Sequence, residues 1–322
     1  MDFSRGKKYK KDVIQFAANL EDNLCSLHYD LSAHKYTHGG YARFMVHDPK
    51  ARVIHKAVVR DRVVHRLLYN YLLPRFNKIW LDCSFSCRPG FGQYKSISAV
   101  ESALNKATRN YTKICWAVKC DVKKFFNNID HEVLRRLLAR QVRDKKMTDL
   151  LDKIIESFSS FSNKGIPIGN HTSQVFANVY LHELDLFVKH HLKKRYYFRY
   201  ADDFICSTES LAEAKSFVER AGDFIKNVLC LEIHPQKIII RQSNWGIDWL
   251  GQVFLPGYKV LRPSTRRRVV KKIACAARYL SGSEKLYGML SSYNGLLRPV
   301  ASKSVNNIIC QTVAFYRGIS YN

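Results

Sequence analysis

Two short apolar stretches carry acids where the hydrophobic pattern would otherwise continue. Asp121 follows Trp116-Ala117-Val118-Lys119-Cys120, and Asp202-Asp203 interrupt the run from Tyr196 to Ser207. A carboxylate in apolar surroundings is costly unless a cation or a metal answers it. If the two stretches are neighbouring strands, their ends set three carboxylates together. Such oxygen ligands suit a hard ion like Mg²⁺. Two ions about 4 Å apart would stabilise the attacking and leaving oxygens of a phosphoryl transfer. Read alone, Asp202-Asp203 is equally a turn-forming dipeptide.

The elements that must position these acids are legible in outline. Helical spacing is expected over 13–34, 61–76, 96–110, 131–143, 147–158, 172–193 and 210–229, and in the tail from about 264. Short strands are expected within 41–56, around a turn at His47-Asp48-Pro49, and near 231–241 and 248–255. Residues 115–122 read as a strand buried on both faces, and 196–207 as a hairpin with the Asp pair at its tip. Residues 84–94 form a Gly-rich loop. This alternation lacks a βαβ period, which predicts an α+β fold rather than a doubly wound sheet.

Composition narrows the partners. The 322 residues carry 53 Lys+Arg against 27 Asp+Glu, a net charge of +26, and 46% are hydrophobic. That excludes a disordered chain and points to a polyanion, with nucleic acid the default. From Pro256 to Asn322 there are twelve basic residues and one acid, Glu284. The run Arg266, Arg267, Arg268, Lys271, Lys272 predicts basic residues around most of a helix, as in an element that grips a nucleic-acid backbone. No apolar run approaches the roughly 18 residues of a membrane span, so no membrane partner is expected. The nine Cys, with Cys83 and Cys87 close together, are expected to be reduced packing thiols rather than a zinc site.

The order of short motifs resembles reverse transcriptases. Tyr200-Ala201-Asp202-Asp203 matches the family's signature tetrapeptide, and Asp121 to Asp130, with the aromatic pair Phe125-Phe126, matches its first carboxylate motif. Gly165-Ile166-Pro167-Ile168-Gly169-Asn170 opens the motif between them; Pro235-Gln236-Lys237 and Trp249-Leu250-Gly251 follow in order. Arg52 stands nine residues before Asp61-Arg62, a spacing similar to that in group II intron-type enzymes, and Ser292-Tyr293-Asn294-Gly295 resembles their thumb element.

The resemblance implies a right-hand polymerase, with fingers and an N-terminal helical segment over 1–96. A palm would cover 97–255, with a fingers-type insertion near 131–165, and a helical thumb 256–322. It implies an RNA-directed DNA polymerase using two Mg²⁺ ions, held by Asp121, Asp202, Asp203 and the Val122 carbonyl. Lys237 would protonate the pyrophosphate leaving group. Arg52, with Lys50, would hold the dNTP triphosphate. Phe126 would exclude a 2′-hydroxyl, and Ile168 would face the nucleotide. Arg60, Arg62 and Arg88 would meet template, and Gly251 the primer. Packing, surface and salt-bridge roles compete with these for Phe126, Ile168, Lys237, Arg60 and Arg62.

Two departures select among relatives. Ile168-Gly169 stands where most have Gln-Gly, and Ser173-Gln174 where many have Ser-Pro. That combination is similar to the enzymes of diversity-generating retroelements, which copy a template RNA into cDNA with errors concentrated at adenines. The expected partners are template RNA, a cDNA primer, dNTPs and a small basic pentameric accessory protein, in the cytoplasm of a bacterium or from a phage. A retron, group II-like or defence-associated enzyme is the alternative, and a catalytically silent RNA-binding scaffold the non-enzymatic one. The resemblance leads to the expectation of a minimal enzyme, without an attached nuclease, integrase or ribonuclease H.

Overall fold

The computed structural model describes residues 6–47, 50–279 and 288–293. Asp48 and Pro49 of the expected turn, most of the basic tail beyond Tyr279, and Asn294-Gly295 lie outside the described residues. Along the chain, α1 (Lys11–Ala18) and α2 (Leu20–Ser32) replace one expected helix. Asn19 between them leaves helical geometry (φ −122°, ψ 53°), and the Asn23 amide donates to the Phe16 carbonyl at 3.0 Å. Strands β1 (Tyr41–Val46) and β2 (Arg52–Ala57) pair antiparallel, from Tyr41 opposite Ala57 to Val46 opposite Arg52. Helix α3 (Val59–Asn77) runs through Pro74 rather than closing there. Proline removes one backbone donor, and Arg75 Nη1 donates at 2.7 Å to the carbonyl of Tyr71 in that last turn.

Then come α4 (Gln93–Ala107), β3 (Trp116–Asp121), the single turn α5 (Phe125–Asn128), α6 (His131–Ala139), α7 (Lys145–Glu156) and α8 (His171–Leu186). The chain after Leu186 widens into a π turn over Phe187–His191, where Phe187 stacks flat on Phe224 at 4.2 Å. A hairpin of β4 (Tyr197–Tyr200) and β5 (Asp203–Thr208) leads to α9 (Leu211–Asn227), β6 (Ile239–Gln242), β7 (Ile247–Trp249) and β8 (Gln252–Leu255). The strand expected near 231–241 is short because Pro235–Lys237 forms a 3₁₀ turn, leaving only an isolated pairing of Ile233 with Val122. An unanticipated β9 (Tyr258–Leu261) completes an antiparallel meander with β7 and β8, and α10 (Pro263–Tyr279) follows.

The mixed α+β expectation matches this architecture: a four-stranded sheet ordered β4-β5-β3-β6, the β1-β2 ribbon and the β7-β8-β9 meander. Packing divides the chain into two compact units. One comprises Met1–Gly92, Lys119–Ile205 and Ser216–Ile238. Its core sets α3 against α8, with Val64, Leu68, Leu72, Val175, Phe176 and Tyr180 fully buried. The other comprises Gln93–Val118, Cys206–Lys215 and Ile239–Asn322. There Leu104, Trp249, Phe254, Val269 and Ile273 are buried, and the Trp249 indole donates to Ser96 Oγ at 2.9 Å. Helix α10 does not carry charge all round: Thr265, Val269, Ile273 and Ala277 form a buried stripe, while Arg266, Arg267, Arg268 and Lys271 are exposed. Among the described residues no helix is long and apolar enough to cross a membrane.

Candidate active site

Strand β3 ends on Asp121, and β5 begins at Asp203 directly after the turn Ala201-Asp202. Because β5 lies beside β3 in the sheet, the two ends meet, and the Val122 N–H donates to the Asp202 carbonyl at 3.2 Å. Ala201 makes the reversal in left-handed geometry, φ +54°. In an extended residue the carbonyl shares the side of its own N–H, so the Val122 carbonyl faces the same turn.

The charges are unevenly answered. Burial, then Asp203 and then Asp121, push the Asp202 carboxyl up to about 6, against the pull of Arg52. Asp203 is also raised, chiefly by burial; Lys119, Lys237 and Lys50 oppose this, while Asp121 adds to it. Asp121 itself is held by Lys237, whose Nζ stands 2.7 Å from Oδ1. Lys237 reaches it from the 3₁₀ turn that His234 anchors by donating its N–H to the Asp121 carbonyl at 2.8 Å.

Among the described residues no three His, Cys, Asp or Glu groups stand gathered as a metal-ligand set. The donor chemistry nonetheless fits a divalent cation. Two of the three carboxylates are raised by burial and mutual repulsion, the condition that a hard cation with oxygen ligands relieves.

The nucleotide-side residues are assembled by backbone contacts. Of the aromatic pair, Phe125 is the core ring, 2% exposed, and Phe126 stays half-buried with its ring edge-on at 5.3 Å. The Ile166 N–H ties the next loop to the Phe126 carbonyl at 2.8 Å. Gly165 must be glycine: at φ +99° its added Cβ would meet Ser160 Oγ at 2.4 Å and the Asn127 carbonyl at 3.1 Å. Further along, the Ile168 carbonyl accepts from the His55 N–H at 3.0 Å, and the Asn170 amide donates to the His55 carbonyl at 3.1 Å. The loop is thereby sewn to β2, which begins at Arg52. Ile168 is half-buried, while Arg52 and Lys50 are exposed and act electrostatically on the Asp pair.

Other expected residues lie elsewhere. Arg60 pairs with Asp30 at 2.5 Å and lies over the Tyr36 ring, and Arg62 pairs with Asp12. Both are thus engaged within the protein, the salt-bridge alternative weighed from sequence. Arg88, expected to seat template, is buried: it donates to Asn77 Oδ1 at 2.9 Å and to the carbonyls of Leu81 (2.6 Å), Ser84 (2.9 Å) and Trp80 (3.3 Å). Those contacts shape its own loop in place of the expected template contact, since the donors already have acceptors. Gly251 belongs to the second unit, where its left-handed backbone (φ +87°) comes within a Cβ distance of 3.2 Å from Thr265 Oγ1. Lys119 was not anticipated. Its signal is its place two residues before Asp121 on one strand face, and it is the foremost cation acting on Asp203.

Comparison with known proteins agrees with this geometry. Residues 47–254 match the family described as Reverse transcriptase (RNA-dependent DNA polymerase). The Group II intron-encoded protein LtrA of Lactococcus lactis subsp. cremoris is 26% identical over 298 residues, covering 70% of this chain and 47% of that protein. The Putative COX1/OXI3 intron 2 protein of Saccharomyces cerevisiae is 22% identical over 278 residues, covering 67% of this chain and 30% of its own. The chain thus spans less than half the length of these two relatives. Among solved structures, apo telomerase from Candida tropicalis superposes with a TM-score of 0.55 at 10% identity, covering 88% of this chain and 64% of that one. Telomerase from Candida albicans, in complex with a fragment of telomeric RNA, gives 0.54 at 10% identity over 87% and 55%. The fold is the mixed helix-and-sheet one of right-hand polymerases, and the chain belongs to the reverse transcriptase family.

Proposed function

We propose that the protein is an RNA-directed DNA polymerase that extends a primer 3′-hydroxyl with dNTPs on a template RNA. The observation that carries this reading is the meeting of Asp121 with Asp202-Asp203 at adjoining strand ends, within electrostatic reach of Arg52, Lys50, Lys119 and Lys237. Asp121, Asp202, Asp203 and the Val122 carbonyl would hold two Mg²⁺ ions, which when bound neutralise charge on the attacking and leaving oxygens. Arg52 and Lys50 grip the triphosphate, and Phe126 stands as a ring wall against a 2′-hydroxyl. Lys237, whose Nζ is 2.7 Å from Asp121 Oδ1, gives a proton to pyrophosphate as it leaves. Gly251 allows the backbone to approach the primer. Arg60, Arg62 and Arg88 serve the template path by fixing the elements that form it. In this reading 1–96 act as fingers, 97–255 as palm and 256–322 as thumb. Catalysis rests on positioning and charge neutralisation.

The finer reading is a diversity-generating retroelement enzyme, error-prone at template adenines, working with a small basic pentameric accessory protein. It is supported by Ile168-Gly169-Asn170 with Ser173-Gln174, and by the half-buried Ile168, which offers only shape where glutamine would offer a hydrogen bond. The similarity to LtrA supports a group II-like enzyme as the second reading.

Primer extension by the purified protein on its flanking genomic RNA, with sequencing of the cDNA, tests both levels. Template-dependent incorporation of dNTPs is expected, with errors concentrated opposite adenine. Product formed without template overturns the first level, and uniform fidelity at all four bases overturns the second.

A further inference from the structure

The residue three positions before Asp202 is an arginine inside an apolar strand, and it is buried completely. Arg199 and Asp185 are each 0% exposed. All five guanidinium donors have acceptors. Nε donates to Asp185 Oδ1 at 2.8 Å and Nη2 to Asp185 Oδ2 at 2.7 Å, a two-point pairing. Nη2 also donates to Ser84 Oγ at 2.8 Å, and Nη1 to Asn178 Oδ1 at 3.2 Å. The remaining Nη1 donor reaches the Ala201 carbonyl at 3.0 Å. Asp185 Oδ1 accepts in addition from the Tyr197 hydroxyl at 2.9 Å.

Three properties of this arrangement go beyond stability. First, a buried ion pair is no better for stability than well-packed apolar residues, because desolvation offsets the attraction. An apolar pair, however, offers no donor to Ala201. Second, Ala201 is the left-handed residue of the turn, and its carbonyl leads directly into Asp202. A non-glycine residue holds that geometry only where its surroundings enforce it. Third, the acceptors come from separate motifs. Asn178 and Asp185 lie seven residues apart, on one face of α8, whose N-terminus follows the Ile168 loop. Ser84 belongs to the Gly-rich loop, which Asn178 also holds through the Ser86 carbonyl at 2.8 Å.

We propose that Arg199, locked by Asp185, is a positioning residue: through the Ala201 carbonyl it fixes the Asp202-Asp203 turn relative to α8 and the Gly-rich loop. It touches no reacting atom. The proposal deepens the polymerase reading and rests on it for its catalytic consequence, but not for its consequence on ion binding.

The test uses the full chain, Mn²⁺ as the probe ion, and two variants. Arg199→Met with Asp185→Leu replaces the pair by apolar side chains; Arg199→Lys keeps the charge but has a single nitrogen, which cannot hold Asp185 and Ala201 as the fork does. Mn²⁺ affinity is read without nucleic acid from loss of the free-ion EPR signal. kcat and KM are read on a homopolymer RNA with a complementary DNA primer and the matching dNTP. Folded variants are expected to bind Mn²⁺ about tenfold more weakly and to lose about 100-fold in kcat, with KM for the dNTP moving less than about threefold. Mn²⁺ affinity within about threefold of wild type in the folded variants overturns the proposal, as does a loss that only tracks the unfolded fraction. Should the double variant not fold, Arg199→Lys decides by the same thresholds. If the wild type binds Mn²⁺ but extends no primer, while the variants bind it more weakly, the polymerase reading fails and the positioning role stands. If the wild type extends and the variants keep pace, the reverse holds.

Discussion

Two groups of acids in the same unit differ in how their charge is met. Asp185 is wholly buried, yet each of its oxygens accepts from Arg199, and Tyr197 adds a third bond. Asp202 is half-buried, and burial first, then Asp203 and Asp121, push its carboxyl up to about 6. Burial acts on both; what separates them is that Arg199 answers Asp185, while further acids face Asp202. A fully answered acid holds the frame, and an under-answered group of acids is poised to take a cation. The two are linked through Arg199 of β4, which holds Asp185 of α8 and donates to the Ala201 carbonyl beside Asp202.

The comparison breaks most sharply if the under-answered acids prove dispensable. Asp202→Asn combined with Asp203→Asn is expected to reduce primer extension by at least about a thousandfold, as loss of charge stabilisation does. RNA affinity measured by filter binding should stay within about twofold, since phosphate contacts come from the basic surface. Full extension by that variant would remove the assignment of the site.

Leaving one member of the answered pair without the other should weaken the fold as well as the site. Arg199→Ala leaves Asp185 buried without its partner and is expected to cost about 3–5 kcal/mol in urea unfolding. A loss below about 1 kcal/mol would show that the pair is not the frame.

The opposite sign is expected at the turn. The folded pKa of Asp202 is raised, so the folded state holds the extra proton between the ordinary carboxylate range, about 4, and about 6. The contribution is favourable below that window and is lost as pH climbs through it. Asp202→Asn should therefore stabilise the metal-free protein by about 1–2 kcal/mol at pH 8, the gain shrinking toward zero near pH 4. A variant less stable than wild type at pH 8 would contradict the sign.

The smallest effect concerns selection. Ile168→Gln restores a polar contact worth about 1 kcal/mol, so misincorporation opposite template adenine is expected to fall several-fold. An unchanged error spectrum would leave Ile168 as a packing residue against β2.

Much of the site was legible in the sequence because its chemistry is local. Acids ending apolar strands, an aromatic pair and glycines at fixed offsets can be read without knowing what packs where. Gly165 illustrates this, since only its missing side chain fits against Ser160 and Asn127. What escaped depends on distant partners. Arg88 reads as a template contact, and only the fold shows its guanidinium turned onto the carbonyls of residues 80–84. For Arg60 and Arg62 the sequence admits a salt bridge, but only the fold shows that the partners are Asp30 of α2 and Asp12 of α1. The basic helix α10 looked charged on most faces, because the small residues Thr265 and Ala277 that line its buried stripe give a weak hydrophobic signal. Strand β9 was hidden for a similar reason: with two exposed or half-exposed polar positions in four residues, only its pairing with β8 defines it.

The central claim is that the three acids form one site for a divalent cation. Thermal melting of the wild-type chain at pH 8 across a Mg²⁺ titration tests it without recourse to activity, because an ion that binds only the folded state raises the melting temperature as its concentration exceeds the dissociation constant. The wild type is expected to gain stability with Mg²⁺, and Asp202→Asn with Asp203→Asn to melt at a temperature that Mg²⁺ leaves unchanged. Equal gains in both proteins, or none in the wild type, would contradict it.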